Sequence, residues 1–441
     1  MSLVTPTLPK RICYVGFDQT TLAQATSLGS TLGFQTIGVA ALCDMIVTGP
    51  GVSSIKDALG DRSPDAHGKK SCTWQEFLER YAGAPSMPES GGSANARPWF
   101  VDNGTTVDVL GVTLPKFSAQ PELGSHVPSH KALCFDHPTL SLMHSIALGW
   151  ASNADLMIEG ATASAKTTAT LALCAQLGYP AWRVNFGNGS SESELVGRFI
   201  PCTQSGGWTW VDGPLVRLMK TKTPNHVLVL DEINLIGGGS SSLEGKLNSV
   251  LDTPGTLTLS EYDFSRYERP ESSRIVCTLN IGYVGRNTLS PALVSRFTGI
   301  CAQTGDEKTW LQQIHWMLTG ENPNILHRGT QYQAPRHADP VFGNLADEYL
   351  PFAASIAKFH HSMAAATGSL SELPATIGRN RRQRYAVSRR QLWSLFNTLN
   401  VLRSEAASPK QALRQAIDFT YIACLEEKDR KSAMDIVGAC L

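Results

Sequence analysis

DLMIEGATASAKTTATLALCAQLG, residues 155–178, reads as one strand, one loop and one helix. LMIEG is a short apolar run. TTATLALCAQLG has the spacing of an amphipathic helix and stops at Gly178, a residue suited to a left-handed cap. Between them Gly160, Ala161, Thr162, Ala163, Ser164, Ala165, Lys166 and Thr167 follow the frame G-x-x-x-x-G-K-[ST], with Ala165 in place of the second glycine. Such a loop turns backbone N–H groups and a helix N-terminus toward phosphate oxygens. Lys166 is expected on the β- and γ-phosphates of ATP, and Thr167 on Mg²⁺. The nucleotide-binding set then runs from Gly160 through Thr168. Ala163 and Ala165 stand where glycine is usual, and a Cβ there resists a positive φ.

Downstream, HVLVLDEIN (226–234) is a buried strand of the parallel-sheet kind with Asp231 and Glu232 at its C-terminal end. Asp231 is expected to hold the Mg²⁺ through water, and Glu232 to polarise the attacking water. RIVCTLN (274–280) is a further apolar strand ending in Asn280, an amide placed to orient that water. SPALVSRF carries Arg296; the family resemblance that follows implies an arginine here that reaches a neighbouring subunit's nucleotide, with Arg286 as a second candidate. RYAVSRRQLWSLFNTLNVLR (384–403) reads as a helix burying Leu392, Leu395, Phe396, Leu399 and Leu402. Its start, Ser388-Arg389-Arg390, has the form S-x-R, and the family resemblance that follows implies that Arg390 reaches the γ-phosphate.

Together these motifs resemble an AAA+ ATPase. From about residue 105 to 405 the likeness is to the MoxR/midasin (dynein-related) branch, and within it to the CobS-type subunit of cobaltochelatase. ELVGRFIPCTQSGGWTWVDGPLVRLM (194–219) matches that branch's second helix, split by a hairpin. TLTLSEYDFSRYERPESSRIV carries a second hairpin ahead of Asn280. The resemblance implies a hexameric ring that hydrolyses ATP to remodel or load a target, with a separate von Willebrand A domain protein as partner. No DxSxS motif of that domain is visible in this chain. Trp208 and Trp210, on the first hairpin, read either as pore-facing aromatics or as cross-strand packing.

Nearer the start, RICYVGF (11–17), QTIGVA and DMIVTGP read as strands. TTLAQATSLGSTLGF, SSIKDALG and TWQEFLERY read as helices. This order resembles a BRCT domain, which implies docking on DNA, a phosphoprotein or another protein. The family's phosphate-binding hydroxyl is replaced here by Val15, whereas Lys56 matches its lysine. Residues 83–104 are rich in Pro, Gly, Ser and Asn and read as a linker. The expected α/β architecture is a BRCT-like domain over 1–84, a linker and extension over 85–130, a P-loop core of parallel sheet and helices over 131–305, and an α-helical lid over 306–441.

Composition narrows the function classes. Lys plus Arg and Asp plus Glu number 38 each, so the net charge is zero and the chain lacks the basic footprint of a general DNA binder. Apolar residues make up 42%. The ten cysteines form no CxxC or Cys/His cluster and are expected to be buried free thiols. The start, MSLVTPTLPKR, lacks an apolar signal core, and no apolar run reaches the roughly 18 residues of a membrane span. A cytoplasmic protein without membrane contact is expected. Three readings stay open: a remodelling ATPase with the BRCT-like module as adaptor, a DNA-transaction ATPase, and a structural ring that binds nucleotide with little turnover.

Overall fold

The computed structural model describes residues 96–441 except 119–124, 130–132, 188–191, 203–205, 223, 236–240, 281–287, 334–338, 371–374, 379–384 and 407; before residue 96 it describes four strands. The chain divides into two compact units, Met1–Ala96 with Leu326–Gln331, and Arg97–Ile325 with Tyr332–Leu441.

In the first unit, β1 (Arg11–Val15), β2 (Gln35–Thr36), β3 (Met45–Thr48) and β4 (Lys70–Thr73) form a parallel sheet in the order β2-β1-β3-β4. The first three fall within the expected strands. KSCT of β4 was not anticipated, because it shows no apolar alternation. The expected helices of this region, and Lys56, lie outside the described residues.

The second unit begins inside the stretch read as a linker, and there that reading is corrected. β5 (Phe100–Asp102), β6 (Thr106–Val109) and β7 (Val112–Pro115) form an antiparallel sheet. Trp99 is only 1% exposed, and its ring lies 4.7 Å from that of Phe135. The polar composition of residues 83–104 hid this anchor. One indole buries enough apolar area to fix a strand that its neighbours would leave in solvent.

The centre of the unit is a five-stranded parallel sheet. Its strands are β8 (Leu156–Gly160), β9 (Ala181–Asn185), β12 (Val227–Asp231), β15 (Arg274–Asn280) and β16 (Thr298–Ala302), in the order β9-β12-β15-β8-β16. All four pairings are parallel. Every residue of β12 and β15 is buried, as expected when helices cover both faces. The pleat divides each strand between two cores. Leu156, Ile158, Val227, Val229 and Val276 join the cluster under α1 (His137–Ala151) and α2 (Lys166–Leu177). Met157, Leu228, Leu230, Ile275 and Cys277 join the opposite cluster, under α4 (Pro214–Lys220) and α5 (Ser241–Leu251).

Between β9 and α4, a short helix α3 (Glu192–Leu195) leads into an antiparallel hairpin of β10 (Gly197–Pro201) and β11 (Trp208–Asp212). A second hairpin, β13 (Thr256–Thr258) with β14 (Arg266–Glu268), precedes β15. Trp210 packs in both directions, edge-on to Phe199 across its own hairpin and stacked on Tyr262 of the second hairpin at 5.1 Å. Trp208 is 70% exposed.

After β16 the chain is mainly helical: α7 (Glu307–Thr319), α8 (Ala353–Ala366), α9 (Arg389–Leu402), α10 (Pro409–Ile417) and α11 (Glu427–Cys440) share a separate hydrophobic cluster. Helix α9 starts five residues later than the earliest expected residue, at a capping box formed by Ser388 and Gln391. Leu392, Leu395, Phe396 and Leu399 are buried as expected, and Leu402 is half-buried. The cysteine expectation holds only in part. Cys134, Cys174 and Cys277 are buried, whereas Cys301 and Cys424 are exposed. No helix among the described residues is long and apolar enough to cross a membrane.

Candidate active site

The loop between β8 and α2 wraps over the C-terminal edge of the sheet. Ala163 and Ala165 have φ of 62° and 64°, so both alanines take the left-handed conformation that glycine adopts without penalty. Ala165 precedes α2 and offers no side-chain cap, which leaves the first N–H groups of the helix to an external acceptor. A Cβ on Gly160 would lie 2.8 Å from the Ala302 carbonyl oxygen, so glycine is required there by close approach.

Lys166 is 6% exposed, and its Nζ donates to the carbonyls of Gly160 (3.0 Å) and Ala161 (2.7 Å) and to Asn280 Oδ1 (2.9 Å). These neutral acceptors hold the ammonium where a phosphate oxygen would replace them. Asn280 Nδ2 donates in turn to Glu232 Oε1 at 2.7 Å. Lysine, amide and carboxylate thus form one chain from the start of α2 through the end of β15 to the residue after β12.

Asp231 lies beside this chain. Its Oδ1 accepts from Thr167 Oγ1 and Thr278 Oγ1, each at 2.6 Å, and its Oδ2 accepts from Arg183 Nη2 at 2.5 Å and Nε at 3.2 Å. Burial alone would raise its pKa. The hydrogen bonds from Thr167, Thr278 and Arg183, with the arginine charge, outweigh burial and hold the carboxyl below its usual range. Thr278 Oγ1 also accepts from the Glu232 N–H at 3.1 Å. Glu232 has φ of 57°, an unusual conformation for a glutamate, and this hydrogen bond fixes its backbone.

These groups line a cavity of about 720 Å³. Of the expected nucleotide set, Thr162 through Thr168 line it, as do Asp231, Glu232, Asn280 and Arg390. Gly160 and Ala161 contribute the carbonyls that hold Lys166. Arg296 is not among the lining residues. It follows the four-residue α6 (Pro291–Val294) rather than lying within it, and it pairs with Asp252 at 2.8 Å. Arg286 lies outside the described residues.

Three contributors were missed from sequence. Thr278 stands two residues before Asn280 on one strand face, a spacing that flags it in hindsight. Arg183 is an exposed charge within the otherwise apolar AWRVN. The segment His126–Ser129 forms a further wall, tied to β9 by the Ala181 N–H donating to the His126 carbonyl at 3.0 Å.

The helical part is tied to α1 through Asp136, which is fully buried, and reaches the cavity with Arg390. Asp136 caps α1 through the Thr139 N–H, accepts from Gln313 of α7 at 2.7 Å, and pairs with Arg389 of α9 at 3.0 Å. Arg390 is the next residue along α9, so this buried ion pair sets where Arg390 emerges.

The site's chemistry fits a nucleoside triphosphate with a hard divalent cation. An uncapped helix N-terminus and a buried lysine suit phosphate, and Thr167 with Asp231 offers oxygen donors of the kind Mg²⁺ takes. Among the described residues there is no cluster of His, Cys, Asp and Glu that would hold a metal by itself.

Sheet order, loop and acidic pair define a P-loop nucleotide-binding fold. Residues 155–297 match the AAA domain of the dynein-related subfamily. Midasin of Giardia intestinalis is 33% identical over 162 residues, covering 36% of this chain and 3% of that protein. An uncharacterized protein of Staphylococcus saprophyticus is 26% identical over 151 residues, covering 34% of this chain and 55% of its own length. The crystal structure of a protein from Cytophaga hutchinsonii aligns with a TM-score of 0.31 at 15% identity, over 69% of this chain and 88% of that one. This chain therefore spans about half the length of the staphylococcal relative and a small part of midasin.

Proposed function

We propose that this protein hydrolyses ATP with Mg²⁺ and uses the energy to remodel or load a partner protein. The observation that carries the reading is the convergence of Lys166, Thr167, Asp231, Glu232 and Asn280 on one cavity from separate strands and the loop. Bound Mg²⁺ would neutralise charge on the phosphates, with Thr167 and Asp231 as its protein ligands, Asp231 through water. Lys166 exchanges its carbonyl partners for phosphate oxygens. Asn280 holds Glu232 in place, and Glu232 takes the proton of the water that attacks the γ-phosphorus. Arg390 approaches from the helical part, which acts as a lid.

The same reading makes the active form a homo-oligomer, a hexamer on the family resemblance, with Arg296 or Arg286 completing the site of the next subunit. The two hairpins are the substrate-facing elements, and a separate von Willebrand A domain protein is the expected partner. The order β2-β1-β3-β4 of the first unit is compatible with a BRCT-like adaptor that docks on a protein, a phosphoprotein or DNA.

The test is steady-state ATP hydrolysis by the full chain beside Lys166→Ala, with mass read by light scattering with and without ATP. Turnover lost in the variant, with ATP-dependent assembly of wild type, supports the reading. Nucleotide binding and assembly without turnover would replace it by the structural-ring alternative.

A further inference from the structure

Arg183 lies on an edge strand of the sheet, with its guanidinium against the acid assigned to the metal. β9 alternates, so Arg183 and Asn185 share the face that lines the cavity. The Asp231 carboxylate is divided between two environments. Oδ1 faces the hydroxyls of Thr167 and Thr278, and Oδ2 takes both prongs of Arg183. Held at Oδ2, the carboxylate cannot rotate about its terminal bond. When the Thr167 hydroxyl turns from Asp231 to a cation, Oδ1 keeps its bond from Thr278, frees the lone pair that Thr167 had occupied, and stays aimed at the position that Thr167 faced. A lysine, as a single point charge, would hold Oδ2 without fixing the carboxylate plane.

We infer that Arg183 is a positioning residue for the nucleotide's divalent cation, acting through Asp231 by fixing Oδ1 toward Thr167. The inference rests on the ATP reading above and names a residue that reading does not use.

The experiment measures binding of N-methylanthraniloyl-ADP to the full chain by fluorescence, first in EDTA and then across a Mg²⁺ titration. Wild type is compared with Arg183→Ala and Arg183→Lys. Outer partners of metal-ligating carboxylates are typically worth about tenfold or more in metal affinity, so the Mg²⁺ midpoint should rise on the order of tenfold in Arg183→Ala. Arg183→Lys should fall between the two, and affinity in EDTA should be the same for all three. An unchanged midpoint in Arg183→Ala overturns the inference. So does an equal loss of affinity in EDTA and in Mg²⁺, which would make Arg183 a direct phosphate ligand. A lower midpoint also overturns it, because Arg183 would then be competing with the cation. If Arg183→Ala fails to fold, Arg183→Lys decides alone, since it keeps the charge and loses the two-pronged hold. Wild type that binds no nucleotide under either condition removes the ATP reading itself, and this inference with it.

Discussion

Asn280 donates from Nδ2 to Glu232 Oε1 across 2.7 Å while its Oδ1 accepts from Lys166. One amide thus spaces the Lys166 ammonium from the Glu232 carboxylate. Glu232→Gln keeps a side chain of the same shape that can still bond Asn280 but cannot take a proton. Turnover should fall by about 10²–10⁴-fold with nucleotide affinity retained. Phosphate release and fluorescent-nucleotide binding, measured side by side, check this; equal turnover would remove Glu232 as the base.

Thr278 joins both acids, donating to Asp231 and accepting from the Glu232 N–H. Thr278→Val keeps the volume and removes the hydroxyl, taking the acceptor from the part-buried Glu232 N–H. A stability loss of about 1–3 kcal/mol is expected by denaturant titration, with reduced turnover. Thr278→Ser should retain most of both. If valine and serine behave alike, the hydroxyl has no such role.

Ala163 and Ala165 hold φ values of 62° and 64°. A left-handed alanine costs roughly 1–2 kcal/mol, partly offset because glycine has more freedom in the unfolded chain. Ala165→Gly should therefore raise stability by about 1 kcal/mol, and Ala163→Gly likewise. Thermal melts of the two variants measure it, and a drop in melting temperature for both would show that the loop carries no such strain.

His360 is fully buried in the helical cluster, with Nδ1 2.7 Å from the Tyr421 hydroxyl. Burial, with a smaller contribution from His361, pushes its pKa down to about 3 from 6.5. The unfolded chain takes up a proton below pH 6.5 and the folded chain does not. Stability from this group is complete above the unfolded value and is lost as pH falls from there toward the folded one. A slope of up to about 1.4 kcal/mol per pH unit follows. His360→Gln should flatten the fall in melting temperature between pH 7 and pH 5, and an identical slope in the variant would exclude His360 as its source.

Much of the core was legible in the sequence because its signals are local. The strand–loop–helix at 155–178, the acids ending β12 and the amide ending β15 each occupy one continuous segment, and a strand's own alternation shows which residues are buried. Both hairpins were expected from the family resemblance rather than from such a local signal. Trp99 was not, since one buried indole in a polar stretch leaves no periodic trace.

The sequence by itself determined the loop between strand and helix and the polar residues that end two buried strands, because spacing along one loop or strand fixes how side chains are presented. Only the tertiary structure decided which of them meet. Arg183 reaches Asp231 across 48 residues, Thr278 reaches it across 47, and Arg389 reaches Asp136 across 253. The first two contacts depend on which strands lie side by side and in what register, and the crossover connections and the packing of two cores set both. The third depends on the helical part docking on α1. Period-two alternation says that a side chain points to one face of the sheet, but not what waits there.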